Sequence, residues 1–248
     1  MSAVKATPLI DKFGREVSYV RISVTDRCDF RCVYCMDEEM VFVPRSEVLS
    51  LEEIKLLSEV FVSLGVSKIR LTGGEPLVRA NVMSLCDSLG SIQGLNELVM
   101  TTNGSQLVKY AKGLKDAGVR RLNISLDTLE PEKFKELTRT GNLESVLAGI
   151  DAAIAQNFER IKLNAVILKG RNDHQVLPLI EYAMSKGIDI SFIEEMPLGS
   201  ISEHSREETF CSNDELFKLI SESYTLQPLD IKAKTSGPTD AYRVVGAK

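Results

Sequence analysis

The chain has 248 residues, 44% of them hydrophobic, and a formal net charge of −5 at pH 7. This size and composition fit one large globular α/β domain, and no apolar run is long enough to span a bilayer. The negative charge argues against general nucleic-acid binding, and the first 14 residues lack the apolar centre of a secretory signal peptide. Five cysteines without an export signal suit a reducing compartment, so we expect a cytoplasmic protein with no membrane or nucleic-acid partner.

Predicted strands and helices alternate along the sequence. Short apolar runs predict six strands, over 19–24, 68–71, 97–100, 121–126, 161–168 and 188–193. Amphipathic stretches predict helices over 51–64, 81–89, 145–155 and 178–184, and one more that closes at Gly118. Because strands separated by helices pair in parallel through right-handed crossovers, this order predicts an α/β fold, a partial (β/α)6 barrel.

The first helix has clear end signals. Ser50 and Glu53 form a capping-box pattern at its start, and Gly65 is expected to end it. Its predicted buried face consists of Ile54, Leu57, Phe61 and Leu64.

Three thiols follow the first strand. Cys28, Cys32 and Cys35 have the spacing Cys-x3-Cys-x2-Cys, which suits a cubane iron–sulfur cluster with one iron left without a protein ligand. A structural zinc site would need a fourth donor, such as Cys86 or Cys211. A disulfide would need an oxidising compartment. The cluster is the favoured interpretation, and we expect Cys86 and Cys211 to be structural thiols.

Polar and glycine-rich segments follow the other predicted strands at their carboxyl ends, which form the active-site face of barrels. They are the segments 73–75, 101–104, 125–127, 169–170 and 195–196. Gly73 and Gly74 remove side chains where a ligand must approach the backbone, and Glu75 offers an acceptor for a ligand ammonium group. We therefore expect a ligand site at this edge.

Four cations lie within the predicted strands, namely Arg21, Lys68, Arg70 and Lys162. Parallel barrel strands are normally apolar, so these cations predict a pocket for an anionic substrate such as a triphosphate. Arg120 and Arg121 stand before or at the start of a strand, where we expect them to reach water.

The cysteine spacing and the Gly-Gly-Glu-Pro segment together resemble the radical S-adenosylmethionine (SAM) superfamily, which implies a TIM-like partial barrel of the radical SAM type. A closer resemblance, to the GTP 3′,8-cyclase family of molybdenum cofactor biosynthesis, covers about 9–243. It rests on the stretches 9–15, 21–28, 68–76, 101–104, 123–127, 162–164 and 192–196.

The resemblance implies a role for each matching residue. The three cysteines would hold a [4Fe–4S] cluster. SAM would be contacted by Tyr34, Gly73, Gly74, Glu75, Ser125 and Met196. GTP would be contacted by Arg21, Arg70, Thr101 and Lys162, with Lys68 as a further cation.

The resemblance also implies the activity, which is conversion of GTP to 3′,8-cyclo-7,8-dihydro-GTP in the first step of molybdenum cofactor (molybdopterin) biosynthesis. It implies a reductant protein such as a flavodoxin or ferredoxin, and a possible homodimer.

Two features depart from that family. Ser191 stands where many members have arginine, and Arg206 is a candidate replacement. The second cysteine triad of the family is missing, so we expect an incomplete sequence, with an N-terminal extension (1–17), the barrel (18–224) and the start of a further domain (225–248). Tyr242 and Val244 then predict a strand without a partner.

Two alternatives remain open. The chain could be another radical SAM enzyme that acts on a different anionic substrate, which a GTP-dependent change in the spectrum of the SAM-bound cluster would argue against. It could also be a non-catalytic iron–sulfur protein, which would release no 5′-deoxyadenosine.

Overall fold

The computed structural model describes residues 8–37, 39–196, 201, 204–229 and 239–246. Six strands form one parallel sheet in which the spatial order equals the chain order, with the first and sixth strands at the edges. They are β1 (Tyr19–Ser23), β2 (Lys68–Thr72), β3 (Glu97–Thr102), β4 (Val119–Ser125), β5 (Arg160–Val166) and β6 (Asp189–Ile193). The expected partial barrel is confirmed.

Helices connect successive strands. Those in the described part of the chain are α1 (Leu51–Ser63), α2 (Val82–Gly90), α3 (Leu107–Asp116), α4 (Pro131–Thr138), α5 (Leu143–Ala155), α6 (Val176–Lys186), α7 (Arg206–Thr209) and α8 (Asn213–Ser223). None of these described helices has the length and apolar character needed to cross a membrane.

The sheet has an apolar face and a polar face because successive residues of a strand point to opposite sides. In β2, Ile69 and Leu71 are fully buried, whereas Arg70 and Thr72 are half-buried. The strands β1 and β5 alternate in the same way. The apolar residues of these strands join those of the helices in the main core, and a smaller cluster contains Val33, Leu137 and Leu168. Because the helices cover the apolar face, the polar face is the inner face of the partial barrel.

The first helix begins as predicted, and its buried face is shifted. Ser50 and Glu53 form the complete capping box. Ile54 and Ser58 are buried, but Leu57 is 42% exposed, so its expected place on the buried face was wrong. The face that packs on the core runs through positions 54 and 58, a spacing of one helical turn.

One helix was missed. The segment between β4 and the long helix α5 contains α4, whose first residue is Pro131. Proline is favoured at the first position of a helix, so a start signal was present. Phe134 and Leu137 are the large apolar residues that α4 buries.

The expectation of an unpaired strand near Tyr242 was wrong. Residues Tyr242–Val244 form β8, which pairs antiparallel with β7 (Leu226–Pro228). Phe217 of α8 also lies against Tyr242, with ring centroids 5.1 Å apart. The proposed boundary at residue 225 remains a prediction, and 1–7, 230–238 and 247–248 lie outside the described residues.

Candidate active site

The missed helix α4 positions the cysteine loop. The backbone N–H groups of Arg31 and Val33 donate to the carbonyls of Thr138 and Leu137, each at 2.9 Å. These carbonyls are at the carboxyl end of α4, where they have no partner inside the helix. The ring of Phe30 also packs edge-on against Phe134, at 5.8 Å between centroids. The loop thus uses the unpaired end of one helix as its support.

Asp29 fixes the other side of the loop. Its carboxylate accepts hydrogen bonds from the side chains of Asn103 and Ser105, both at 2.6 Å. Its carbonyl accepts one from the hydroxyl of Thr140 at 2.7 Å. The loop after β1 is therefore joined to the loop after β3 and to the segment after α4. No role of Asp29 is predictable from its local sequence, because the partners of its carboxylate lie more than 70 residues away.

The three cysteines of the loop are free thiols, with Cys28 and Cys32 half-buried and Cys35 exposed. Burial raises the pKa of Cys28 to about 11 and also raises the pKa values of Cys32 and Cys35. Loss of the thiol protons in this setting needs a strong positive partner, as a metal centre provides. Three thiols on one short loop, one of them exposed, are a donor set that fits a cubane cluster.

The zinc and disulfide alternatives receive no support. All five cysteines are free, and Cys86 and Cys211 are buried in the core. Among the described residues, no three metal-ligating side chains are grouped closely enough to hold one metal ion. A cluster spreads its thiolates over several irons and does not need that closeness. The burial of Cys86 and Cys211 in the core agrees with the expectation that they are structural thiols.

Gly73 and Gly74 are needed for contact with the chain itself. A Cβ atom on Gly73 would lie 2.5 Å from the carbonyl oxygen of Thr25, and one on Gly74 would lie 2.3 Å from that of Arg27. The N–H of Gly74 donates to Thr25 at 2.7 Å. The loop after β2 therefore packs directly on the backbone that leads into Cys28. This close packing is a second reason for the two glycines, beside the predicted approach of a ligand.

Glu75 lies inside the protein. Its carboxylate accepts hydrogen bonds from the N–H of Leu77 (2.9 Å), the hydroxyl of Thr102 (2.8 Å) and the N–H of Asn103 (2.6 Å). Burial raises the pKa of Glu75 to about 7, although these hydrogen bonds lower it. The side chain connects the loops after β2 and β3. The contact of Glu75 with a ligand ammonium group stays a prediction. It requires that the carboxylate accept a further hydrogen bond beside these three.

Tyr34 is joined to the end of β4. Its hydroxyl donates to the buried carboxylate of Asp127 at 2.6 Å, and the N–H of Val166 donates to the other oxygen at 2.8 Å. Burial raises the pKa of Asp127 to about 6, against the effect of these two hydrogen bonds. Ser125, at the end of β4, is half-buried. Tyr34 is therefore hydrogen-bonded to a residue two positions after Ser125, and the SAM contacts of both stay predictions.

Met196 follows β6 and is 58% exposed. The residue before it, Glu195, is buried and was not assigned a role. Its carboxylate lies 2.6 Å from His204 Nε2, accepts a hydrogen bond from Thr209 at 3.0 Å and pairs with Arg206 at 3.3 Å. This network anchors the backbone at Met196. No local pattern could reveal it, since the partners come from a separate segment.

Cations line the polar face of the sheet below this edge. Arg21 is paired in register with Arg70, whose side chain donates to Tyr19 (2.8 Å) and Thr101 (2.9 Å). The structure thus brings together three of the predicted GTP contacts. Lys162 lies on the same face of β5, and burial, followed by the charges of neighbouring arginines, lowers its pKa. Within the described residues, neither Arg21 nor Lys162 has a hydrogen bond or ion pair through its side chain.

Lys68 differs from the other cations of this face. Its ammonium lies 2.8 Å from the carboxylate of Glu97, which also pairs with Arg121. Although burial raises the pKa of Glu97, these two cations lower it below its usual range. The expectation that Arg121 reaches water was wrong, because its side chain is only 26% exposed and pairs with Glu97. Arg120 is 53% exposed, as expected, and pairs with Glu159 at the surface. A substrate contact from Lys68 stays a prediction.

The candidate replacement for the family arginine is already engaged. Arg206 pairs with Glu195, and Ser191 stands beside Asn164 in the register of β5 and β6. A direct contact between Arg206 and a substrate therefore competes with an existing ion pair and remains a prediction.

Comparison with known proteins agrees with this geometry. The sequence model of the Radical SAM superfamily matches residues 22–183. A GTP 3′,8-cyclase of Pseudomonas savastanoi pv. phaseolicola is 58% identical over 239 residues, which are 96% of this chain and 71% of that protein. A GTP 3′,8-cyclase of Ectopseudomonas mendocina is 55% identical, over 97% of this chain and 72% of that protein.

Solved structures share the fold at low sequence identity. Coproporphyrinogen III oxidase from Escherichia coli, described as a radical SAM enzyme, aligns with a TM-score of 0.58 at 15% identity, over 89% of this chain and 52% of that one. SuiB from Streptococcus suis, solved with bound S-adenosylmethionine, aligns with a TM-score of 0.60 at 18% identity, over 83% and 45%.

Proposed function

The chain belongs to the radical SAM superfamily and, within it, to the GTP 3′,8-cyclase family, and from this membership we infer that its barrel converts GTP to 3′,8-cyclo-7,8-dihydro-GTP. This is the first step of molybdenum cofactor biosynthesis. Members use a [4Fe–4S] cluster and SAM. The cluster, when bound, supplies the electron for reductive cleavage of SAM, which starts radical chemistry on the nucleotide.

We propose that the loop of Cys28, Cys32 and Cys35 holds the cluster. The loop is supported by α4 on one side and by Asp29 on the other, so the thiols are positioned before a metal arrives. We propose that SAM is contacted by residues at the end of β4 and in the loops that follow β1, β2 and β6, namely Tyr34, Gly73, Gly74, Glu75, Ser125 and Met196.

The proposed GTP contacts are the cations of the polar face. Arg21 and Lys162 have no partner among the described residues, and a triphosphate would neutralise both. Burial lowers the pKa of Lys162, and the charges of neighbouring arginines lower it further against the effect of Asp189, so a bound anion would favour its charged form. Arg70 and Thr101 are already hydrogen-bonded to each other and present one joined surface.

One observation carries this proposal. The thiol loop follows β1 at the carboxyl edge of the sheet, and the cations lie on the polar face of β1, β2 and β5. A radical formed at the edge would therefore meet a nucleotide held by its phosphates below. The hydrogen bonds that hold these loops would keep the reacting groups in a fixed arrangement.

The test is anaerobic reconstitution with iron and sulfide, followed by assays of 5′-deoxyadenosine and cyclised nucleotide with and without GTP. The proposal expects SAM cleavage to yield cyclised nucleotide when GTP is present. SAM cleavage that GTP leaves unchanged would favour another anionic substrate, and a cluster without any SAM cleavage would indicate a non-catalytic iron–sulfur protein.

The remaining partners are predictions. A reductant protein such as a flavodoxin or ferredoxin must supply the electron, and a homodimer is expected by family resemblance. The five free cysteines support a location in a reducing compartment, the cytoplasm.

A further inference from the structure

Asn103 connects the cysteine loop to the end of β3 and touches a sulfur. It is 9% exposed, and its side-chain amide nitrogen lies 2.6 Å from Asp29 Oδ1 and 3.8 Å from Cys28 Sγ. The backbone N–H of Phe30 is the second donor to this sulfur, at 3.4 Å. Cys28 is thus the thiol of the triad with two N–H donors among the described residues.

The orientation of the Asn103 amide is fixed by its neighbours. Its oxygen accepts a hydrogen bond from the N–H of Ser105 at 3.0 Å, and its nitrogen faces a carboxylate, which can only accept. Exchange of the two amide atoms would break both interactions. The N–H group therefore points toward Asp29 and Cys28.

Asp29 acts on the same sulfur with the opposite sign. Its Oδ1 lies 3.9 Å from Cys28 Sγ. Reduction of a cluster adds one electron, supplied by the external reductant, and thus negative charge on the irons and their thiolates. Hydrogen-bond donors stabilise this charge and a nearby carboxylate destabilises it, and both effects set the potential of iron–sulfur clusters.

We propose that Asn103 and Asp29 are positioning residues that tune the reduction potential of the cluster in opposite directions, Asn103 upward and Asp29 downward. The inference rests on the proposed cluster ligands. The carboxylate of Asp29 anchors the loop but by itself would disfavour the reduced cluster. The N–H donor of Asn103 offsets this effect.

The experiment is an anaerobic redox titration of the reconstituted protein without SAM, followed by electron paramagnetic resonance. Asn103→Leu, which keeps a similar volume and removes the N–H donor, should lower the ratio of reduced to oxidised cluster about tenfold at fixed potential, which for one electron is about 59 mV. Asp29→Asn should raise the same ratio. Ser105→Ala, which removes an equally short hydrogen bond to Asp29 without touching a sulfur, is the matched control and should change the ratio less than about twofold.

The sign of the shifts separates tuning from simple support of the loop. Shifts of Asn103→Leu and Asp29→Asn in the same direction, or shifts no larger than that of Ser105→Ala, would overturn the proposal. If Asn103→Leu retains no cluster, an upward shift in Asp29→Asn supports the proposal and a downward or absent shift overturns it. If both variants fold without retaining a cluster, their role is structural and the proposal is wrong. Failure of the wild-type protein to retain iron and sulfide would instead contradict the proposed cluster ligands.

Discussion

The carboxyl edge of the sheet and its polar face differ in whether their charged side chains have partners within the protein. At the edge, Asp29, Glu75 and Asp127 are hydrogen-bonded to other parts of the chain. On the polar face, Arg21 and Lys162 have no such partner within the described residues. The edge is therefore assembled by the protein itself, whereas the polar face retains unmatched charge for a ligand.

The comparison predicts the largest effect at the cysteine loop. Cys32→Ala should abolish cluster retention, because two thiolates cannot hold a cubane that reserves one iron for SAM. Iron and sulfide analysis after reconstitution checks this. Cys86→Ala is the matched control, since it removes a buried thiol from the core and should keep the cluster at a stability cost of about 1 kcal/mol. Equal loss in both variants would point to another ligand set.

A second prediction concerns the buried carboxyl groups of the edge. Burial raises the pKa of Glu75 from 4.5 to about 7, so the folded protein binds this proton more tightly than the unfolded chain does. The resulting stabilisation is complete below about pH 4.5 and is lost as the pH rises through about 7, with a slope of up to about 1.4 kcal/mol per pH unit.

Urea unfolding of the cluster-free protein from pH 5 to pH 8 measures this effect. The free energy of unfolding of Glu75→Gln should lack this pH-dependent contribution, so its difference from wild type should change between pH 5 and about pH 7 and level off above that. Glu159→Gln, on the surface, should give a constant difference. A constant difference for Glu75→Gln as well would show that Glu75 is an ordinary carboxylate when folded.

Some features of the fold and the site were predictable from the sequence and others were not. The strands, the cysteine triad and the glycines were predictable because each leaves a local pattern. The helix α4 was missed because it spans only eight residues, Pro131–Thr138, and the partner strand of β8 because β7 has three residues, one of them proline. The hydrogen bonds of Asp29 reach residues more than 70 positions away, and those of Glu195 reach residues 9 and 14 positions further along the chain. Neither set follows a repeating local pattern from which it could be predicted.

On the polar face, the comparison predicts an effect on binding and little on the fold. Lys162→Met removes a cation without a partner and should weaken GTP binding about tenfold or more, the value of a hydrogen bond to a charged group. Calorimetry with GTP measures this, and SAM binding should be unchanged. Lys112→Met, an exposed lysine of α3, is the matched control and should bind GTP normally. Normal GTP affinity in Lys162→Met would contradict the assignment.

Glu97 differs from the rest of the polar face because it neutralises two of its cations, and its replacement should have a smaller effect than the changes above. Glu97→Gln should destabilise the ligand-free protein by about 1 kcal/mol, since Lys68 and Arg121 lose their partner. Thermal unfolding with and without inorganic triphosphate measures this. Triphosphate should restore more stability in this variant than in wild type. An equal effect of triphosphate on both would show that the two cations do not face the anion site.

The central claim is that the edge and the polar face form one site, with SAM on the cluster next to GTP. The most direct test is the electron paramagnetic resonance spectrum of the reduced, SAM-bound cluster as GTP is added. The account predicts that GTP changes the spectrum of the wild-type protein, and that Lys162→Met needs about tenfold more GTP for the same change. GTP that binds by calorimetry and leaves the spectrum unchanged would contradict it.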